Sequence, residues 1–105
     1  MTRHIDKPWG HEEIWAETDS YVGKILCITA GHRLSLQHHE RKDETIRILE
    51  GEMELEIEDN DGVMRTIRMK RGMTAHIAPY QKHRMAAVTD VELVEVSTPE
   101  LDDVV

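Results

Sequence analysis

The sequence predicts an all-β protein, a sandwich or barrel of short strands, and three features indicate this. Apolar residues recur with a period of two along most of the chain, as they do in strands with one buried face. The apolar runs are short and are separated by turns rich in Gly, Pro, Asn and Asp. No stretch has a convincing helical period, apart from a possible short turn near the C-terminus. We therefore expect about seven or more strands in one domain that spans residues 1–105.

Several strands can be placed along the chain from composition. Residues 21–29, 45–49 and 91–96 are apolar, β-branched runs, which fit a pleated, half-buried surface. Residues 59–62 supply Asn, Asp and Gly, residue types that tolerate positive φ in a tight turn. Residues 63–69 are then expected to return as the hairpin partner of the strand before this turn.

That preceding strand, residues 52–58, has the clearest alternation in the chain. Met53, Leu55 and Ile57 are separated by glutamates, so the three apolar side chains share one face of the strand. We expect this face to be buried and the glutamate face to point to water without a functional role.

Four residues with metal-binding atoms stand at spacings that strands and turns could bring together: Gln37, His39, Glu44 and His83. Gln37 and His39 are two residues apart, so on a strand they share a face. Glu44 begins the next apolar run across a short hairpin, and His83 follows a later turn where a strand would bend back. This set of N and O donors predicts one divalent ion, with Zn first and Mn, Fe, Co or Ni as alternatives, rather than soft Cu(I).

The ligand spacing resembles the first motif of the cupin family, which reads G-x5-H-x-H-x3-E-x6-G or the same with x4 before the glutamate. Here Gly31, Gln37, His39, Glu44 and Gly51 occupy those places, and only the first histidine is changed, to Gln37. The second cupin motif is matched more loosely. Gly72 and His83 are present, Pro79 stands one place late, and Tyr80 replaces the usual glycine. The resemblance implies a cupin double-stranded β-helix, also called a jelly-roll barrel.

Within that family the chain resembles the C-terminal cupin domain of the type II phosphomannose isomerases. The resemblance covers about residues 7–99 and is carried by Lys7-Pro-Trp-Gly10, by Arg33-Leu-Ser-Leu-Gln37 and by His83-Arg84. It implies a metal-dependent isomerase that interconverts an aldose phosphate and its ketose. A cation at the site would stabilise the enediolate intermediate while a general base moves a proton between adjacent carbons.

The residues expected to serve this chemistry are cationic or titratable groups near the ligands. Arg84, next to His83, and Arg33, before the ligand segment, are candidates for binding the substrate phosphate or the enediolate, because guanidinium groups offer planar bidentate donors. Lys24 is a third candidate, on the strand at residues 21–29. No base is evident, which leaves His76, Lys24 or a metal-bound hydroxide. His76 is equally well explained as a wall residue without chemistry.

The segment before Glu44 also bears on assembly. If Ser35, Gln37 and His39 line the pocket, Leu34 and Leu36 point outward and need a cover. A second copy of the chain could supply it, and cupins are commonly dimers, so a homodimer is expected. The competing explanation is that the N-terminal segment, residues 9–15 with its two tryptophans, folds over the same face.

Two other functional classes stay open. One is another small metal-dependent cupin enzyme, such as an oxygenase, which the substitution at Gln37 disfavours because the more usual ligand set has three histidines and one glutamate. The other is a non-catalytic sugar-binding or accessory cupin, since a chain of 105 residues lacks the extra segments that complete many sugar pockets. One fold hosts many chemistries, so fold resemblance does not separate them.

Composition and charge bear on the partners and the cellular location of the protein. The net charge of −8 repels phosphate backbones, so nucleic acid is not an expected partner. The N-terminus is charged where a signal peptide would be apolar, and no run approaches the ~20 apolar residues of a membrane span. Cys27 is the single cysteine and cannot form an intramolecular disulfide, which agrees with a reducing cytoplasm. We expect a soluble, cytoplasmic protein with a small-molecule substrate.

Overall fold

The computed structural model describes residues 2–100 and 105, and these contain nine β-strands and no helix. The strands are β1 (Arg3–Lys7), β2 (Gly10–Glu17), β3 (Val22–Ile28), β4 (Glu44–Glu50), β5 (Met53–Glu58), β6 (Met64–Met69), β7 (Thr74–Ile77), β8 (His83–Ala87) and β9 (Val91–Ser97). No helix in this part of the chain is long and apolar enough to cross a membrane. A short turn was possible near the C-terminus, where residues 101–104 lie outside the described residues.

The strands form two antiparallel sheets. One has six strands in the order β1-β2-β3-β9-β4-β7, and the other has three in the order β6-β5-β8. The core lies between them, because buried residues of the large sheet such as Ile46 and Leu93 cluster with Met53 and Leu55 of the small sheet. This arrangement confirms the all-β prediction and is consistent with a jelly-roll double-stranded β-helix.

The strands predicted from composition are present, with ends shifted by at most one residue. They correspond to β3, β4, β5, β6 and β9. Met53, Leu55 and Ile57 are buried, as the alternation predicted. The glutamates between them are half-exposed and form ion pairs: Glu54 lies 3.2 Å from Arg68 and Glu56 lies 2.9 Å from Arg84.

The ligand segment differs from the strand that its spacing predicted. Residues 29–43 contain only two isolated bridges, Arg33 to Ala86 and Gln37 to His83. The segment therefore runs antiparallel alongside β8 without forming a continuous ladder with it. Leu34 is half-buried and packs against the core, whereas Leu36 is exposed. The expected outward stripe of two leucines is thus a single residue, and the homodimer stays a prediction.

The N-terminal hairpin of β1 and β2 extends the large sheet beyond β3. Trp9, in the turn between its strands, packs against the core, and Ile14 is buried. Trp15 is 44% exposed and lies over Gly23, where a Cβ would come within 2.6 Å of the indole ring. The N-terminal segment therefore packs into the barrel through Trp9 and Ile14, and the alternative that it covers the leucine face stays a prediction.

Candidate metal centre and pocket

Three buried side chains form a cluster with potential metal-binding atoms. His39, Glu44 and His83 each offer one such atom, and these atoms all lie within 4.8 Å of one another. His39 lies in the segment before β4, Glu44 is the first residue of β4, and His83 is the first residue of β8. Each side chain is at most 4% exposed. The cluster could bind one metal ion.

Backbone pairing places the ligands from the segment before β4 beside β8. The amide of Gln37 donates to the His83 carbonyl at 3.1 Å, and the amide of His83 donates to the Gln37 carbonyl at 2.9 Å. Gln37 lines the same cavity as the three clustered side chains. The side-chain amide oxygen of Gln37 is the predicted fourth ligand, and this role stays a prediction.

His83 is oriented by a hydrogen bond on the far side of its ring. Nδ1 lies 2.9 Å from the carbonyl oxygen of Gln81, and Nε2 lies 3.4 Å from Oε1 of Glu44. If Nδ1 carries the proton and donates it to Gln81, the Nε2 lone pair faces the cluster. Burial lowers the pKa of His83 from its ordinary value, which favours the neutral ring that a metal requires.

Glu44 lies between this imidazole and a buried lysine. Lys42 Nζ is 3.0 Å from Oε2 of Glu44 and 3.3 Å from Oε2 of Glu95. All three side chains are less than a tenth exposed. Burial raises the pKa of Glu95, and the Glu44 charge adds to that rise. Burial alone would lower the pKa of Lys42, but the two carboxylates outweigh burial and raise it.

The donor set fits a divalent ion. It combines two imidazole nitrogens with a carboxylate, the ligand types that Zn, Mn, Fe, Co and Ni accept. Glu44 Oε2 is buried and has no well-aligned hydrogen-bond donor among the described residues. Such an oxygen is costly in an interior unless a cation satisfies it, and the Lys42 ammonium lies 3.0 Å from it.

The cluster opens into a cavity of about 440 Å³ between the ligand segment and the N-terminal hairpin. Its wall carries four cationic side chains and three carboxylates: Arg3, Lys7, Lys24 and Lys42, with Glu12, Glu44 and Glu95. Lys24 Nζ lies 3.7 Å from Oε1 of Glu12, and both side chains are about a tenth exposed. The cavity is thus large enough for a small polar molecule and is lined by groups that can bind or move protons.

The structure does not bring three of the predicted catalytic or substrate-binding residues to this cavity. Arg84 follows His83 on β8 and so projects to the opposite face of the sheet, where its guanidinium lies 2.9 Å from Glu56. His76 is 62% exposed and contacts Asp43. Arg33 is exposed at its bridge to Ala86. None of these three lines the cavity in the described part of the chain, and their functional roles stay predictions.

Lys24 is the predicted catalytic residue that the structure does place in the cavity. The sequence reasoning missed Glu12, Lys42 and Glu95. Glu12 and Glu95 could have been found from the sequence, because each is an acidic residue on the apolar face of a strand. Glu12 shares the inward face of β2 with Ile14, and Glu95 follows Leu93 on β9. Lys42 lies in an irregular segment, where no periodicity marks its direction.

Tyr80, which stands where a cupin motif has glycine, has a φ of 67°. This left-handed conformation is uncommon for bulky residues and free of steric cost for glycine. The amide of Tyr80 donates to the carbonyl oxygen of His39. The turn before His83 therefore keeps the backbone shape expected of glycine and ties it to a ligand residue.

Comparison with known proteins agrees with this fold. Residues 24–98 match the family described as the cupin domain. None of the curated proteins matches the sequence.

Solved structures give the same result. KdgF from Halomonas sp. superposes with a TM-score of 0.82 at 23% identity, over 96% of this chain and 89% of that one. An RmlC-like cupin from Shewanella frigidimarina has a TM-score of 0.80 at 17% identity, over 98% and 88%. A variant of oxalate decarboxylase from Bacillus subtilis has a TM-score of 0.85 at 13% identity, over 99% of this chain and 30% of that one. At these identities the likeness shows the fold alone.

Proposed function

We propose that this chain, which belongs to the cupin family, is a metal-dependent isomerase that interconverts an aldose phosphate and its ketose phosphate. The observation that carries the proposal is one cavity that holds both a buried His39, Glu44 and His83 cluster and the Lys24 and Glu12 pair. The motif residues that resemble phosphomannose isomerases support the same choice of substrate.

The reaction needs no oxidant or reductant. The C2 proton of the aldose leaves its carbon and a proton is delivered to C1, while the hydroxyl proton moves from O2 to O1. Atoms and electrons balance within the sugar, so the protein has to bind the two oxygens, accept one proton and return one. These requirements match a cationic centre with an adjacent acid–base group.

His39, Glu44 and His83 would hold the ion, with Gln37 as the fourth ligand. Zn is our first choice, and Mn, Fe, Co and Ni suit the same donors. A divalent ion at this position supplies Lewis acidity toward neighbouring oxygen atoms of the substrate. Lys42 Nζ lies 3.0 Å from Glu44 Oε2 and offsets part of the negative charge at the site.

We assign the proton transfer to Glu12, with Lys24 as its partner. Their side chains are close, poorly hydrated and directed into the cavity. A carboxylate there can accept the C2 proton and return it to C1, and the Lys24 ammonium stabilises negative charge that develops on the sugar.

The test is exchange of the C2 proton with solvent deuterium. Protein dialysed free of metal is loaded separately with Zn, Mn, Fe, Co or Ni and incubated with mannose 6-phosphate or fructose 6-phosphate in D₂O. We expect deuterium at C2 of the recovered mannose 6-phosphate. His39→Ala should abolish exchange and stoichiometric metal, whereas the neighbouring His38→Ala should keep both. Absence of exchange across all five metals and a panel of sugar phosphates would reject the isomerase.

A non-catalytic sugar-binding cupin is the second candidate, since the cavity holds polar anchors regardless of turnover. It predicts saturable binding of a sugar phosphate without exchange at C2. The same samples therefore distinguish the two functions by calorimetry and mass spectrometry.

A further inference from the structure

We propose that the turn between β1 and β2 recognises the remote anionic group of the substrate, with Lys7 binding the anion and Trp9 contacting the sugar. The sugar phosphates used as probes rest on the proposed function. The turn itself belongs to the Lys7-Pro-Trp-Gly10 motif, which the metal chemistry leaves without a role.

Both residues line the cavity that contains the metal cluster. On β1, Arg3, Ile5 and Lys7 alternate onto one face and all three border this cavity. β1 is the outermost strand of the large sheet, separated by β2, β3 and β9 from β4, which carries Glu44. The turn and Glu44 thus border the same cavity from strands that are separated by three others in the sheet.

Ion pairing distinguishes Lys7 from the other cations of the wall. Lys42 contacts Glu44 and Glu95, and Lys24 contacts Glu12. Arg3 is paired with Glu17 at 2.6 Å. Within residues 2–100 and 105, Lys7 forms no ion pair with a carboxylate. Its charge is therefore available to a ligand anion, on a protein whose net charge of −8 otherwise repels one.

The backbone holds this turn in one position. Lys7 pairs with Gly10, and the amide of Thr29 donates to the Trp9 carbonyl at 2.9 Å. Gly10 has a φ of 149°, and a Cβ there would come within 1.9 Å of the Cys27 carbonyl oxygen. The close approach requires glycine. Lys7 and Trp9 are thus presented by rigid backbone, which reduces the entropy lost on binding.

The two tryptophans differ in what they face. Trp9 is half-buried, packs against the core and borders the cavity. Trp15 is not among the described residues that line the cavity, and its indole lies over Gly23. An indole at a cavity wall offers a flat apolar surface to the C–H face of a sugar. Together, the metal cluster and the turn select an elongated sugar with a negative group distant from its reacting carbons.

Trp9 also provides the measurement. In a Trp15→Phe background, Trp9 is the only indole, and its fluorescence is titrated in Zn-loaded protein with mannose 6-phosphate, with mannose and with inorganic phosphate. We expect a saturable change with mannose 6-phosphate at a Kd at least about tenfold lower than that of mannose. Lys7→Gln should weaken the phosphate ester about tenfold and leave mannose unchanged, as the loss of one charge-assisted contact predicts.

The matched control is Lys70→Gln, which removes the same charge from an exposed position outside the cavity and should leave both affinities unchanged. If Lys7→Gln and Lys70→Gln weaken the binding of mannose 6-phosphate equally, the effect comes from the net charge of the protein, and the proposal is overturned. Equal affinity for mannose 6-phosphate and mannose, or no binding of either, would also overturn it. Selective binding without deuterium exchange would reject the isomerase and support this inference, because binding is measured independently of turnover.

Discussion

Lys42 Nζ and Glu44 Oε2 lie 3.0 Å apart in the interior. The other oxygen of the same carboxylate, Glu44 Oε1, lies 3.4 Å from His83 Nε2. A potential metal ligand is thus already paired with a cation. Lys42 contacts Glu95 as well, so one ammonium holds two buried carboxylates. A metal ion and Lys42 would therefore share the task of neutralising the charge on Glu44.

This sharing leads to the first prediction. Lys42→Met should destabilise the metal-free protein by about 3–5 kcal/mol, because removal of one partner leaves buried carboxylates uncompensated. Zn should then raise the urea midpoint of the variant by more than it raises that of the wild type, since the ion supplies the missing charge. Urea unfolding with EDTA and with Zn measures both effects. Lys70→Met, at an exposed position, is the control, and equal Zn effects in wild type and Lys42→Met would contradict the shared role.

The second prediction concerns pH. Burial lowers the folded-state pKa of His83 below its ordinary value of 6.5. The unfolded chain therefore takes up this proton first as pH falls, so the contribution of neutral His83 to stability is present above about 6.5 and is lost below it. Metal-free wild-type protein should lose stability below pH 6.5 more steeply than His83→Asn, by up to about 1.4 kcal/mol per pH unit. Urea midpoints from pH 8 to pH 5 in EDTA measure the slopes, and parallel curves would contradict the assignment.

Local periodicity was sufficient to predict the strands and their buried faces. The alternation at Met53, Leu55 and Ile57 survives in the fold because one face of β5 is buried against the large sheet. The same rule could have placed Arg84, since neighbours on a strand face opposite sides and His83 faces inward. The alternation of side chains along β8 therefore predicts the position of Arg84 better than its proximity in sequence to His83 does.

The rest of the site depends on which strands become neighbours. Glu12 and Lys24 meet because β2 lies beside β3, and Lys24 lies opposite Glu95 because β3 lies beside β9. β2 and β3 are consecutive strands, but the pairing of β3 with β9 joins distant parts of the chain, and no local pattern encodes it. Lys7 and Trp9 reach the cavity because the hairpin of β1 and β2 extends the large sheet beyond β3.

The third prediction tests the faces of β5. Leu55 is fully buried, so Leu55→Ala should cost about 2–5 kcal/mol through lost burial and the cavity left behind. Glu54 is 43% exposed and its ion pair with Arg68 is at the surface, so Glu54→Gln should cost less than about 1 kcal/mol. Urea midpoints give the comparison directly. Similar midpoints for the two variants would mean that the inward face has been assigned to the wrong residues.

The last prediction uses two adjacent glutamates of β2. Glu12 faces the cavity beside Lys24, whereas Glu13 takes the opposite face of the strand and does not line it. Glu12→Gln should lower the rate of C2 deuterium exchange by roughly 10²-fold or more, as loss of a general base typically does, while metal content stays stoichiometric because the three clustered ligands are intact.

Glu13→Gln removes the same charge from the neighbouring residue and should leave the exchange rate near that of the wild type. Metal analysis and exchange are measured on the same samples, so loss of activity through loss of the ion is recognised. If Glu12→Gln exchanges as fast as Glu13→Gln in metal-loaded protein, proton transfer belongs to another group of the wall, and Lys24 is the next residue to substitute.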